Sequence, residues 1–263
     1  MFVDSHCHLE MEEYDGDRRA VIDRATKAGV SCMLTVGTEA RYFPRVIELI
    51  ETHPGVYGGV GIHPHNAKDY SGETEEAVRA CLGHPKIVGY GEIGLDFYRD
   101  YSPRAVQLKV FRRQIEIAVA AGLPVIVHSR NAREETLEIL KGTRLGDHKT
   151  VIHCYSYDLV TAKKLLDMGM YLSIPGTITY KNTGLLPLVR YVPLDRLLSE
   201  TDAPFLTPEP KRGRRNEPAL VKIVVEEIAR IKEKPVEEVA RVIAGTFHTV
   251  FLGNEKGGRN CPP

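Results

Sequence analysis

Short apolar runs rich in β-branched residues alternate with helical patterns along this chain. "VSCMLTVGT" is followed by "EARYFPRVIELIETH", and "PVIVHSR" is followed by "NAREETLEILKG". Parallel strands that are covered by helices on both faces read as nearly continuous apolar runs of this kind. Eight such strand–helix units in 263 residues predict a (β/α)8 TIM barrel, with a doubly wound open sheet as the main alternative.

The units follow one another without a linker or a change of composition, so we expect a single domain over residues 1–254. The stretch "PVEEVARVIAGTFHTVFLG" comes after the eighth unit and predicts an extra C-terminal helix. The closing segment, residues 255–263, is expected to be a frayed tail.

Charge and composition limit the classes of function. Lys and Arg together number 35, as do Asp and Glu, so the net charge is zero. Proteins that coat nucleic acid usually carry a large basic excess, so any phosphate site here must use local basic residues or metal. No apolar run reaches about 18 residues, so no membrane span is expected. The five cysteines are widely spaced without a CxxC pair, and the N-terminus shows no signal peptide, which together predict a cytoplasmic protein.

Histidines and carboxylates stand where the predicted strands end. His6 and His8 close the first strand, and because alternate side chains of a strand share a face, they would project to the same side. Each residue of this kind could, alone, be a hydrogen-bonded core histidine or a helix cap. In a barrel the strand ends meet at one pocket, so together they predict a metal centre. The later strand ends contribute His63, Glu92, His128, His153 and Asp202.

Without His63, this set offers four histidine nitrogens and two carboxylates. It favours two divalent ions over one, because a single ion rarely takes six protein ligands and still leaves room for substrate. Glu92, on the central fourth strand, is the candidate bridge. Such a pair of ions lowers the pKa of a water molecule, and Asp202 could accept a proton from it, so Asp202 and Glu92 are the candidate catalytic residues. We expect one ion on His6, His8, Asp202 and Glu92, and the other on His128, His153 and Glu92.

Basic and histidine side chains near the strand ends are candidates for substrate binding. The loop "TPEPKRGRRNEP" follows the eighth strand, and Arg215 in it is the preferred phosphate contact, with a solvated basic loop as the alternative. Arg130 directly follows the fifth strand and could face either substrate or solvent. His63 and His65 are expected to contact phosphate or to support the metal ligands.

Seven motifs occur in order along the chain: "DSHCHLE", "GIHPH", "GEIGLDFY", "PVIVHSR", "HCYS", "ETDAPFLTP" and "GRRNEP". Together they resemble the TatD family of metal-dependent hydrolases, within the amidohydrolase-like barrels. The resemblance implies a (β/α)8 barrel and a phosphodiesterase that acts on DNA, typically from the 3′ end, with Mg²⁺ or Mn²⁺. It also implies metal-ligand roles for His6, His8, Glu92, His128, His153 and Asp202.

This chain departs from the family pattern in its last helix, and the sequence leaves the identity of the metal open. The last helix of the family commonly carries an Asn where this chain reads "AGTFHTVFLG", which lies outside the expected metal ligands. The histidine-rich donor set would also bind Zn²⁺ tightly by the usual affinity order.

Two other functions stay open on the sequence alone. A hydrolase of another ester or an amide, such as an aminoacyl-RNA ester or a lactone, would use the same metal chemistry. Glu92 stands where some barrels bridge two metals with a carbamylated lysine, which argues against those barrels. The basic loop after the eighth strand favours phosphate, so DNA is the leading substrate. No obligate protein partner is inferred. A non-catalytic scaffold stabilised by metal is the remaining alternative.

Overall fold

The computed structural model describes residues 1–143 and 148–253. Within them, eight β-strands alternate with helices along the chain. The strands are β1 (Phe2–Cys7), β2 (Val30–Gly37), β3 (Val56–Val60), β4 (Ile87–Asp96), β5 (Val125–Arg130), β6 (Thr150–Ile152), β7 (Tyr171–Ile174) and β8 (Leu197–Ser199). The α-helices are α1 (Arg18–Lys27), α2 (Phe43–Thr52), α3 (Gly72–Cys81), α4 (Arg104–Ala121), α5 (Arg133–Gly142), α6 (Leu159–Asp167), α7 (Leu185–Tyr191), α8 (Val221–Lys232) and α9 (Val236–Phe247). The expected frayed tail, residues 255–263, lies outside the described residues.

The strands form one parallel sheet in the order of the sequence, from β1 to β8. The last strand returns to the first, where Cys7 and Ala203 form a parallel bridge. The backbone N–H of His8 donates to the carbonyl of Ala203 at 2.8 Å, and the N–H of Asp202 donates to the carbonyl of His6 at 2.9 Å. The sheet is therefore a (β/α)8 barrel, as predicted, and the open-sheet alternative is wrong.

The central strand β4 passes unusually close to β5. All ten residues of β4 are buried, which is typical of a strand covered on both faces. Gly94 has a φ of 144°, and a Cβ atom there would lie 1.9 Å from the carbonyl oxygen of His128. Only glycine allows this approach and this conformation, which places Glu92 beside His128.

Helix α4 fixes the ends of β3 and β4 through two buried glutamines. The side-chain amide of Gln114 accepts from the backbone N–H of Ile62 at 2.8 Å and donates to its carbonyl at 2.9 Å. Gln107 makes the same pair of bonds to the backbone of Asp96, at 2.8 and 3.1 Å. These bonds replace the strand pairing that is lost where the chain leaves the sheet, so the loops at this end of the barrel start from fixed positions.

The predicted extra C-terminal helix is α9, which packs against α8, β1 and β8. It continues into a π-helical turn, His248–Leu252. The rings of Phe247 and Phe251 are buried with their centroids 5.2 Å apart, so the departing motif "AGTFHTVFLG" forms apolar core. Among the described residues, no helix combines the length and the apolar character that crossing a bilayer requires.

Candidate metal centre

The carboxyl ends of the strands surround a cavity of about 750 Å³. His8, Glu92, His128, His153 and Asp202 line it, and His6 lies buried beneath them. The structure therefore brings these strand-end residues together at one cavity. Three groups of these side chains lie close enough to share an ion; they are His6, His153 and Asp202; His6, His8 and Glu92; and His63, Glu92 and His128.

Glu92 presents one carboxylate oxygen to each of two histidine pairs. Its Oε2 lies 3.3 Å from His6 Nε2 and 3.9 Å from His8 Nε2. Its Oε1 lies 2.6 Å from both His128 Nδ1 and His153 Nε2. A carboxylate that bridges two ions divides its oxygens in this way.

The first pair of histidines meets Asp202 as well as Glu92. His6 Nε2 and His8 Nε2 are 3.3 Å apart, and Asp202 Oδ1 lies 3.4 Å from His8 Nε2 and 3.8 Å from His6 Nε2. Donors bound at about 2.1 Å to one tetrahedral ion lie roughly 3.4 Å from one another. The spacing of these side chains therefore fits a divalent ion, and imidazole nitrogens with carboxylate oxygens suit one chemically.

His128 is held in the tautomer that a metal ligand needs. Its Nε2 lies 3.1 Å from Asp96 Oδ2, so Nε2–H donates to that carboxylate, and Nδ1 faces Glu92 Oε1 at 2.6 Å, where a metal ion would replace the shared proton. His8 is arranged in the same way, because its Nδ1 lies 2.9 Å from the carbonyl oxygen of Val36 and its Nε2 faces the cluster.

His63 differs from these two, although it also touches Glu92. Its Nδ1 accepts the backbone N–H of His65 at 3.1 Å, so the neutral ring carries its hydrogen on Nε2. That Nε2 lies 3.4 Å from Glu92 Oε1. Burial lowers the pKa of His63 to about 4, which keeps the ring neutral. His63 thus presents a neutral N–H group to the Glu92 carboxylate.

The cluster is prepared to hold positive charge. Burial raises the pKa of Glu92, but His153 and His63 outweigh burial and hold that pKa well below the ordinary range. Burial lowers the pKa of His8, but hydrogen bonds to Asp202 and Glu10 raise it well above the usual value. Burial also opposes protonation of His128 and His153, but their carboxylate neighbours outweigh it and raise both pKa values, whereas burial lowers the pKa of His6. A bound cation can replace the protons that the raised histidines favour.

Two buried carboxylates behind the histidines were missed by the sequence analysis. Glu10 has Oε1 3.2 Å from His8 Nδ1, and its Oε2 accepts the hydroxyl of Thr35 at 2.6 Å. Asp96 accepts His128 and His65 on Oδ2, at 3.1 and 2.9 Å. For Asp96 the signal was strand alternation, which puts it on the face of Glu92 in β4. Glu10 lies in the turn after β1, where alternation makes no prediction.

The residues predicted for substrate binding are placed differently from one another. Arg130 and His65 line the cavity beside the metal cluster. Arg215 does not line it, because its guanidinium donates to Asp17 Oδ2 at 2.8 Å and to the carbonyl of Glu13 at 2.6 Å. This arginine is therefore turned toward the segment before α1, away from the strand ends.

Known proteins resemble this chain over nearly its whole length. Residues 3–252 match the family of TatD related DNases. An uncharacterized metal-dependent hydrolase, YabD of Bacillus subtilis (strain 168), is 40% identical over 97% of this chain and 100% of its own. A 3′–5′ ssDNA/RNA exonuclease, TatD of Erwinia tasmaniensis, is 36% identical over 93% of this chain and 97% of its own.

A solved structure extends the likeness to the fold. The crystal structure of YjjV, a TatD homolog from Escherichia coli K12, superposes with a TM-score of 0.91 at 31% identity, covering 95% of this chain and 98% of the other. Sequence, fold and candidate ligands agree, and the chain belongs to the TatD-related family of metal-dependent hydrolases.

Proposed function

We propose that this protein hydrolyses phosphodiester bonds of DNA from the 3′ end, at a centre of two divalent ions, with Mg²⁺ or Mn²⁺ as the expected metals. The observation that carries the proposal is the division of the Glu92 carboxylate, with Oε2 toward His6 and His8 and Oε1 toward His128 and His153. The first ion would use His6, His8, Asp202 and Glu92, and the second His128, His153 and Glu92.

Bound ions at such a centre would lower the pKa of a water molecule and offset the charge of the phosphate. Asp202 lines the cavity beside His8, where its carboxylate can accept the proton that the attacking water loses. His63 donates to Glu92 and so keeps the bridging carboxylate oriented. Arg130 supplies a fixed positive charge at the cavity wall, where a phosphate oxygen can be bound.

The name of one relative supports a nucleic acid as the substrate. A relative that is 36% identical carries the name of a 3′–5′ ssDNA/RNA exonuclease. The net charge of zero argues against binding along a long tract but is compatible with gripping one strand end in a pocket.

The test is a 5′-labelled single-stranded DNA oligonucleotide incubated with the metal-loaded protein in Mg²⁺ or Mn²⁺. We expect a ladder of products that shorten from the 3′ end. Glu92→Gln should remove the ladder because it takes the negative charge from the bridge, whereas the surface variant Glu134→Gln on α5 should leave the ladder unchanged.

Absence of cleavage by folded, metal-loaded protein would refute the proposal and direct the search to small esters, amides and aminoacyl-RNA. A ladder that persists in Glu92→Gln would instead show that the activity comes from elsewhere or from a contaminant.

A further inference from the structure

Two large apolar rings are exposed at the mouth of the metal cavity. Tyr101 is 55% exposed and Phe205 is 46% exposed, and both line the cavity. Exposed rings that line a polar cavity are informative, because an aromatic face at the cavity wall can stack on a ligand that enters.

The rings stand on opposite sides of the mouth. Tyr101 lies in the segment after β4, and Phe205 lies in the segment after β8. These strands are four positions apart in a closed sheet of eight, so they face each other across the barrel.

Each ring adjoins one part of the proposed metal centre. The ring of Phe205 packs edge-on against His8 with centroids 6.1 Å apart. The ring of Tyr101 packs edge-on against His65, at 4.8 Å, and His65 shares Asp96 with His128. A group at the metal centre would therefore have one aromatic ring on either side.

Two arginines place positive charge beside the ring on the β4 side. Arg99 and Arg130 line the cavity, and the guanidinium of Arg130 lies 4.0 Å from the centre of the Tyr98 ring. Across residues 1–143 and 148–253, neither arginine has a carboxylate within 4.0 Å, whereas Arg215 is paired with Asp17. Arg99 and Arg130 are thus free to bind an anion.

We propose that Tyr101 and Phe205 are stacking surfaces for the bases of the two nucleotides that flank the scissile phosphate, with Arg130 and Arg99 on the phosphates. This inference rests on the proposed nuclease function and names the feature of the substrate that the site selects. A ring stacks on a base only when that base has left its neighbours, so the bond that is cut must lie between unpaired nucleotides. The preference for unpaired ends then comes from the segments after β4 and β8, which carry the two rings, whereas hydrolysis depends on the metal ligands.

The rings are tested by removal and by replacement. Tyr101→Ala and Phe205→Ala should each raise KM for a single-stranded oligonucleotide by roughly tenfold, the scale of one lost base–ring stack. Tyr101→Phe and Phe205→Tyr keep a ring and should restore the wild-type KM. Tyr191→Ala is the matched control, because that tyrosine is 51% exposed at the end of α7 and does not line the cavity.

A second test changes the substrate instead of the protein. The wild-type KM should be higher for an oligonucleotide whose two 3′-terminal nucleotides lack bases than for the intact one. On this abasic oligonucleotide, the KM values of the alanine variants should differ little from that of the wild type. Equal KM values of the wild type for abasic and intact ends would overturn the inference while leaving the proposed function standing. If the protein cleaves neither the abasic nor the intact oligonucleotide, both the proposed function and the stacking inference are wrong.

Discussion

Asp96 is the residue that ties the proposed metal centre to the rim. Its Oδ2 accepts both His128 and His65, and its Oδ1 accepts the backbone N–H groups of Tyr98 and Arg99 at 2.9 Å. Burial raises the pKa of Asp96, but the bonds from His128 and His65 outweigh burial and lower it well below the ordinary value. The carboxylate is therefore ionised, and it fixes which nitrogen of His128 carries the hydrogen.

Asp96→Asn should weaken metal binding with little change of shape. An amide can donate to His128 Nε2 and so favour the tautomer whose hydrogen sits on Nδ1, where the ligand lone pair is needed. We expect the affinity for the second ion to fall by roughly 10- to 100-fold, as measured by titration calorimetry with Mn²⁺.

Asp100→Asn is the control for this variant, since Asp100 is exposed in the same loop, and asparagine tolerates its φ of 54°. Two ions bound by Asp96→Asn with wild-type affinity would show that Asp96 does not select the tautomer of His128.

At the scale of elements, α3 and α4 are joined by the Glu75 carboxylate. It accepts Arg113 of α4 at 2.8 and 3.0 Å, and also Arg79 and the hydroxyl of Tyr70. The Arg113 guanidinium, followed by Arg79 and Tyr70, outweighs burial and lowers the pKa of Glu75 to about 2. Helix α4 carries the glutamines that hold β3 and β4, so this pairing supports the mouth of the barrel from outside.

Glu75→Gln should therefore lower the melting temperature at pH 7 by a few degrees. A carboxylate whose folded-state pKa is depressed stabilises the fold above its unfolded-state value, near 4.5, and loses that contribution as pH falls toward about 2. The difference between wild type and variant should hold from pH 7 to about 5 and shrink below it, as followed by circular dichroism.

Glu116→Gln is the matched control, because Glu116 also binds Arg113 but is far more exposed. If the difference in melting temperature between the wild type and Glu75→Gln stays constant down to pH 3, the stabilisation by Glu75 is not ionic.

The elements were predictable to the extent that they follow local periodicity. Apolar runs revealed eight strands. Strand alternation predicted the shared face of His6 and His8, although β1 ends at Cys7 and His8 is held by its backbone bond to Ala203. His63 and Asp202 lie three residues beyond β3 and β8, in loops, yet barrel topology still carries them to the mouth.

The direction of a loop side chain depends on distant contacts, which is why the placement of Arg215 could not be read from its neighbours. Asn216 donates to the carbonyls of Thr201 and Phe205, and Tyr14 donates to the carbonyl of Asn216. This anchoring turns the adjacent Arg215 toward Asp17, a residue near the other end of the chain.

At the scale of the whole molecule, the candidate ligands come from β1, β4, β5 and the segments after β6 and β8. An ion bound there joins most of the barrel. Since an ion that binds only the folded chain stabilises it by about 2.7 kcal/mol at a hundredfold excess over Kd, added Mn²⁺ should raise the melting temperature by several degrees.

Glu92→Gln should lose most of this shift, and a chelator should reverse the shift in the wild type. Calorimetric melts with and without metal measure both. Identical melts of the wild type in Mn²⁺ and in chelator would mean that these side chains hold no ion.

The closure of β8 onto β1 also determines when, during translation, the candidate metal site can form. His6 lies in β1, whereas Asp202, bonded to the backbone of His6, is translated only after the seven further strands β2 to β8. A nascent chain cannot complete the first ion site before its eighth strand exists. Under the proposed function, a nascent chain that lacks β8 therefore cannot cleave the nucleic acid around it, and the site can form only after β8 has been translated.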